Sequence, residues 1–141
     1  MHRRQFLKQS CALCLLGGVG GAALVESCGP AGKLVTYKTA VVNKQAAVPL
    51  AQMPPAGVLL IRAKGLDYNL ALHHRGDGYE ALLLECTHFS NPLSVAGNGY
   101  QCNVHGSRFD AEGKVTNGPA DRPLRRYPAT VQGDQIIIQI A

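Results

Sequence analysis

Cys86-Thr87-His88 and Cys102-Asn103-Val104-His105-Gly106-Ser107-Arg108-Phe109-Asp110 are the residues on which the reading of this chain turns. A Cys-x-His and a Cys-x-x-His, thirteen residues apart (89–101), place two thiols and two imidazoles on two short segments. Spacing that short lets a single loop turn aim both ligands of a pair at one centre, and two such loops facing each other close a four-ligand site. Two metal groups suit two cysteines and two histidines: a tetrahedral structural zinc, or a two-iron sulfide cluster with mixed ligation.

The segments flanking these motifs read as strands. Upstream, residues 70–75 and 79–85 surround Gly76-Asp77-Gly78, a hairpin signal, because glycine reaches the positive φ that tight turns require. Downstream, residues 124–131 run through Gln132-Gly133-Asp134 into residues 135–140, a second hairpin. Further out, residues 33–42 are rich in β-branched side chains, Pro54-Pro55-Ala56-Gly57 is a break, and residues 58–63 form a short apolar run. No segment sustains a helical period. The expectation is an all-β, turn-rich domain over residues 33–141, with the ligand pairs on loops between the hairpins.

Composition narrows the function classes. The chain has 141 residues, 46% hydrophobic and 16% charged, enough for one modest core but not for a second catalytic domain. The formal net charge of +5 is uneven, since Arg3, Arg4 and Lys8 precede the fold. From Cys28 onward eleven Lys and Arg face eight Asp and Glu with no basic block, which argues against nucleic acid as a partner. No Ser-His-Asp set, phosphate loop or carboxylate pair stands out, and Asp110 reads as a turn residue.

The stretch from Cys86 resembles the Rieske iron–sulfur family: Cys-x-His, a spacer, Cys-x-x-His-Gly-Ser-x-Phe-Asp, then Gly118-Pro119-Ala120. The resemblance spans roughly residues 57–140. It implies a Rieske-like domain of small antiparallel sheets holding a [2Fe-2S] cluster, with Cys86 and Cys102 on one iron and His88 and His105 on the other, nearer the solvent. It also implies two ligand loops covered by a third loop at Gly118 and Pro119. Exchanging two thiolates for two neutral imidazoles removes negative charge, so an added electron is better tolerated. Rieske centres span about −150 to +300 mV, against about −400 mV for plant-type ferredoxins.

The same resemblance places Ser107 where a serine hydroxyl donates to a cluster sulfur. It places Phe109 where quinol-oxidising members carry tyrosine, so a second hydroxyl donor is missing. Those members also bridge their ligand loops with a disulfide, whereas Asn91 and Val104 stand at the corresponding places here. Hydrogen bonds to cluster sulfur favour the more negative reduced state, so a low-to-intermediate potential is expected.

The amino terminus reads as an address. Arg3-Arg4-Gln5-Phe6-Leu7-Lys8, followed by residues 9–25 without a charge, resembles a twin-arginine export signal over residues 1–27. Leu24-Val25-Glu26-Ser27-Cys28 looks like a bacterial lipoprotein box, which implies a lipid anchor on Cys28 and a linker at 28–32. Cleavage elsewhere nearby, or a retained signal serving as the anchor, are the other readings. Removal of Cys11 and Cys14 and lipidation of Cys28 leave Cys86 and Cys102 as the cysteines of an exported domain, free for a disulfide or for a metal.

Together these readings give a one-electron carrier of the bacterial cell envelope, facing the periplasm, whose partner is a cytochrome or an oxidoreductase subunit. The rivals are a subunit of a quinol–cytochrome c reductase-like or arsenite-oxidase-like enzyme, and a zinc-stabilised module. Two side features remain. His73-His74 are adjacent on a strand and so point to opposite faces, which suits solvent-facing or capping roles better than a shared metal. Arg108, Arg122, Arg125 and Arg126 form either a basic rim for an acidic partner or a solvated surface.

Overall fold

A computed structural model of the chain describes Leu34–Ile140; the export signal, the 28–32 linker and Cys28 lie outside the described residues. β1 (Val35–Val42), β2 (Gln45–Pro49), β3 (Val58–Lys64), β4 (Leu70–Arg75) and β5 (Gly78–Leu83) come first, with a short 3-10 turn at Leu50–Gln52. β6 (Leu93–Ala96), β7 (Gly99–Cys102), β8 (Arg108–Phe109) and β9 (Val115–Asn117) follow, and β10 (Arg126–Gln132) and β11 (Gln135–Gln139) end the fold. Seven strands close a barrel in the order β1-β2-β11-β10-β5-β4-β3, and β6-β7-β8-β9 make a separate four-stranded sheet.

The barrel is filled by Val48, Leu59, Ile61, Leu70, Leu72, Ala81, Leu83, Tyr127, Ile136 and Ile138. These residues alternate along their strands, as one-sided burial requires. β4 and β5 are buried on both faces. Their outward Ala71 and Leu82 join Leu84, Cys86, Leu93, Tyr100, Cys102, Phe109, Ala120 and Leu124 in a second core. That is why residues 81–84 form an unbroken apolar run, and it sets the small sheet against the barrel wall.

The small sheet is an insertion between two neighbouring barrel strands. β5 pairs with β10 through Leu82 and Arg126, and the Leu83 N–H donates to the Arg125 carbonyl at 2.9 Å. The chain therefore leaves the barrel at Leu83 and returns one strand away. Gly99 lets the sheet close, because a Cβ there would stand 2.2 Å from the Phe109 carbonyl oxygen across the β7–β8 pair.

The all-β expectation and both hairpins hold, with strand ends moved by a residue or two. Two features lay beyond the sequence reading. The barrel closes through a parallel pair, β1 with β3, inside an otherwise antiparallel set. β2 follows a two-residue turn in which Asn43 and Lys44 both take positive φ, 51° and 61°. Lysine is not a turn signal for that conformation; the turn is held from outside, with the Ile140 N–H donating to the Lys44 carbonyl at 2.8 Å.

Candidate metal centre

Strand β5 runs directly into the first ligand loop, residues 86–91. The Cys86 N–H donates to the Asn91 carbonyl at 2.7 Å and the Ser90 N–H donates back to the Cys86 carbonyl at 2.8 Å, so the loop is a closed turn. Ser90 takes a positive φ of 46° within it. The Tyr68 hydroxyl, from the β3–β4 connection, donates to the Ser90 carbonyl and fixes the loop to the barrel.

The second loop, residues 102–107, leaves the end of β7. The Cys102 N–H donates to the Ser107 carbonyl at 2.9 Å and the Gly106 N–H to the Cys102 carbonyl at 3.0 Å. Gly106 sits at φ 80°, the left-handed region that a β-carbon disfavours, and turns the chain just past His105. Asn103 Nδ2 donates to Ser94 Oγ at 3.0 Å and ties the loop to β6.

The two loops bring the candidate side chains together in pairs. Cys86 and Cys102 are buried, 1% and 0% exposed, and unbridged. The rings of His88 and His105 lie 5.1 Å apart, edge to face at 87°, on the outer side. His105 is exposed, His88 half-buried. Burial pushes the Cys102 thiol up, but N–H groups of His105 and Val104 with the Cys86 side chain outweigh it and hold the thiol below its ordinary value. His88 Nδ1 is buried with no hydrogen-bond partner. Two inner sulfurs, two outer imidazoles and an unpartnered ring nitrogen fit a group that takes thiolate on one flank and imidazole on the other. Among the described residues no three His, Cys, Asp or Glu side chains converge on one point as a single bound ion requires.

Residues 117–122 cross both loops. Ser107 is fully buried, and its Oγ accepts the Ala120 N–H at 3.0 Å, which leaves the hydroxyl hydrogen free to point elsewhere. Gly118 and Pro119 are exposed and joined by a cis peptide. Phe109 is 2% exposed and adds no polar atom. Asp110 closes the β8–β9 turn, its Oδ1 accepting the Lys114 N–H at 2.8 Å. At the tip, Phe89 and Val104 are 67% and 59% exposed, and the Phe89 ring lies 4.3 Å from His88 and 5.8 Å from His105.

Of the side features, His74, Arg108, Arg122 and Arg125 are exposed as read, whereas His73 and Arg126 depart from their sequence readings. His73 is not solvent-facing: the small sheet covers the outer face of β4, and burial lowers the His73 pKa below 6.5 against the pull of Glu80. His74 is exposed and rests on Tyr79 with ring centroids 4.8 Å apart. Arg126 does not join a rim, since its Nη1 binds the buried Glu80 carboxylate at 2.8 Å and its Nη2 donates to the Glu112 carbonyl. Arg122 reaches the first ligand loop. A charged residue inside the apolar run 79–84 was the available signal for the Glu80 network. Neither Asn117 nor Arg122 carries any such mark.

Comparison with known proteins follows the same lines. The chain is 28% identical over 147 residues to the cytochrome b6-f complex iron-sulfur subunit of Chlorobaculum thiosulfatiphilum, covering 99% of this chain and 76% of that one. In fold it is similar to a chain of a hyperthermophilic respiratory Complex III (TM-score 0.52, 23% identity, 64% of this chain and 71% of that one). It is also similar to a chain in the complex of reduced oxygenase and oxidized ferredoxin of carbazole 1,9a-dioxygenase (TM-score 0.51, 21% identity, 70% and 94% covered). Among the described residues no helix is long and apolar enough to cross a membrane. Residues 41–128 match the Rieske [2Fe-2S] domain; the chain belongs to that family, carries its cluster and serves in electron transfer.

Proposed function

We propose that Cys86 and Cys102 hold one iron of the cluster and His88 and His105 the other, and that the chain passes single electrons to a redox partner at the outer face of the cytoplasmic membrane or in the periplasm. When bound, the cluster supplies one reversible electron. The remaining work falls to the chain. The buried sulfur flank keeps water from the inner side, and the outer imidazoles present a ring edge that a partner can meet. The observation that carries this reading is the sorting of the four side chains, sulfurs buried in the second core and the His105 ring open to solvent.

Phe89 and Val104 flank the imidazoles and give the tip an apolar collar. Such a collar excludes water from a brief contact, which suits a partner that meets the chain at the imidazole edge. Similarity to a cytochrome b6-f complex subunit along nearly the whole chain supports a second reading, in which that partner is a permanent oxidoreductase subunit. The buried Phe109 and the loops free of disulfide favour the separate carrier.

Alanine at Cys86, His88, Cys102 or His105 is expected to abolish the electron paramagnetic resonance signal of the reduced protein, while His74→Ala retains it. A signal that survives any of the four substitutions overturns the ligand assignment. Cys28→Ser is expected to move the protein from the membrane fraction to the soluble one, and retention in the membrane rejects the lipid anchor. Purification from its native membrane decides between the two partner readings. Solitary elution supports the carrier, and co-elution with a cytochrome or molybdenum subunit overturns it.

A further inference from the structure

At the ligand end of the small sheet the loops are tied in, Asn117 Nδ2 donating to the Gly106 carbonyl and Arg122 Nη2 to the Thr87 carbonyl, both at 3.1 Å. Toward its other end, between the sheet and the barrel, lies a cleft of about 580 Å³. The β6–β7 ladder shows the separation: Leu93 faces Cys102 at the ligand end, whereas Val95 faces Tyr100 beside the cleft. On the barrel side Val58 and His73, paired across β3 and β4, form the wall, and the exposed Glu112 of the β8–β9 turn stands at the rim. The lining is mostly apolar, and no residue of either ligand loop belongs to it. Clefts of this size, apolar with a few polar groups, are the usual seats of small molecules.

The polar groups of the cleft decide what it can hold. Burial lowers the His73 pKa against the pull of Glu80 and, further down, of Glu112, so that ring is neutral and adds no positive charge. Burial first, then the charges of Glu112 and Asp110, push the Tyr100 hydroxyl up to about 12, so it stays protonated. Among the described residues no lysine or arginine lines the cleft, and Arg75 and Arg126 are engaged by the Glu80 carboxylate. An apolar slot thus carries a phenol in its wall and an uncompensated carboxylate at its rim. We propose that this cleft is a second binding site, taking a small organic cation whose apolar body sits between Val58 and Val95 and whose ammonium group meets the Glu112 carboxylate and donates to the Tyr100 hydroxyl. An anionic ligand of the same shape is refused, because Glu112 and Asp110 repel it and no cation offsets them. The site is independent of the ligand assignment, since none of Cys86, His88, Cys102 and His105 touches it.

The test is calorimetric titration of the full chain, loaded with its cluster, at pH 8. Phenethylammonium is the probe and phenylacetate its anionic match. The cation is expected to bind with a Kd of about 0.3–3 mM, the affinity that a ligand of about nine heavy atoms reaches at ordinary efficiency. Phenylacetate is expected to bind at least about tenfold more weakly. Glu112→Gln is expected to weaken the cation about three- to tenfold, and Tyr100→Phe about two- to fivefold, each losing one polar contact. Both variants should keep the parent circular dichroism, because Arg126 holds the Glu112 carbonyl rather than its carboxylate, and phenylalanine keeps the ring of Tyr100 in the second core. Amide chemical shifts on adding the cation are expected to move at residues 95–100 and 111–112. Shifts that fall elsewhere, equal binding of phenylacetate, or no saturation by about 20 mM cation overturns the site. Parent-like affinity in both variants overturns it as well.

Discussion

Ser107 holds one hydrogen bond within the fold and is expected to supply another to a cluster sulfur. Its Oγ accepts the Ala120 N–H from inside the second core, so Ser107→Ala strands a buried donor, at a cost of roughly 1–3 kcal/mol read by chemical denaturation. The same change removes the hydroxyl hydrogen, and the reduction midpoint is expected to fall. Phe109→Tyr adds a hydroxyl at the place where quinol-oxidising relatives are expected to carry one, and the midpoint is expected to rise in a redox titration. His73 supplies a pH signature. Burial lowers its pKa from 6.5, while Glu80, Glu112 and Arg126 face it from β5, the β8–β9 turn and β10. The unfolded chain therefore takes the proton first, and stability is complete above about pH 6.5 and declines below it. In thermal melts from pH 7.5 to 5, His73→Gln is expected to lose less stability than the parent. The proposed ligands were legible because cysteine and histidine announce metal chemistry at short spacing. Asn117 and Arg122 were not, because a polar residue in a loop looks alike whether it meets water or a carbonyl.

At the level of elements, the hairpins around Gly76-Asp77-Gly78 and Gln132-Gly133-Asp134 were legible since turn residues bracket apolar runs on both sides. Strands β6 to β9 were hidden for the opposite reason. They have two to four residues each, too few for a period to register, and they form only because the wall of β4 and β5 gives them an apolar surface to cover. Leu82 is the centre of that wall, 0% exposed on the outer face of β5. Leu82→Ala is expected to cost about 2–5 kcal/mol and to loosen the small sheet before the barrel, seen as amide exchange that rises first at residues 93–117. Gly99→Ala forces the β7–β8 pair apart, because the Phe109 backbone cannot yield as a flexible side chain would. Poorer cluster loading with an intact β-sheet circular dichroism spectrum is the expected result.

For the whole molecule, the Glu80 carboxylate ties barrel strands β4, β5 and β10 together, and Arg126 carries the network on to the small sheet. It is 7% exposed and meets Arg75 and Arg126, while Arg126 also holds the Glu112 carbonyl in the β8–β9 turn. Both arginines keep some contact with water, so Glu80→Gln is expected to cost about 1–3 kcal/mol in urea unfolding rather than the full penalty of a sealed ion pair. The position of the small sheet, spliced between β5 and β10, bears on ancestry and engineering. Its two junctions are neighbours in one ladder, about 4.8 Å apart. A cassette with adjoining ends can be lengthened, trimmed or moved onto an unrelated barrel without rerouting a single strand of the host.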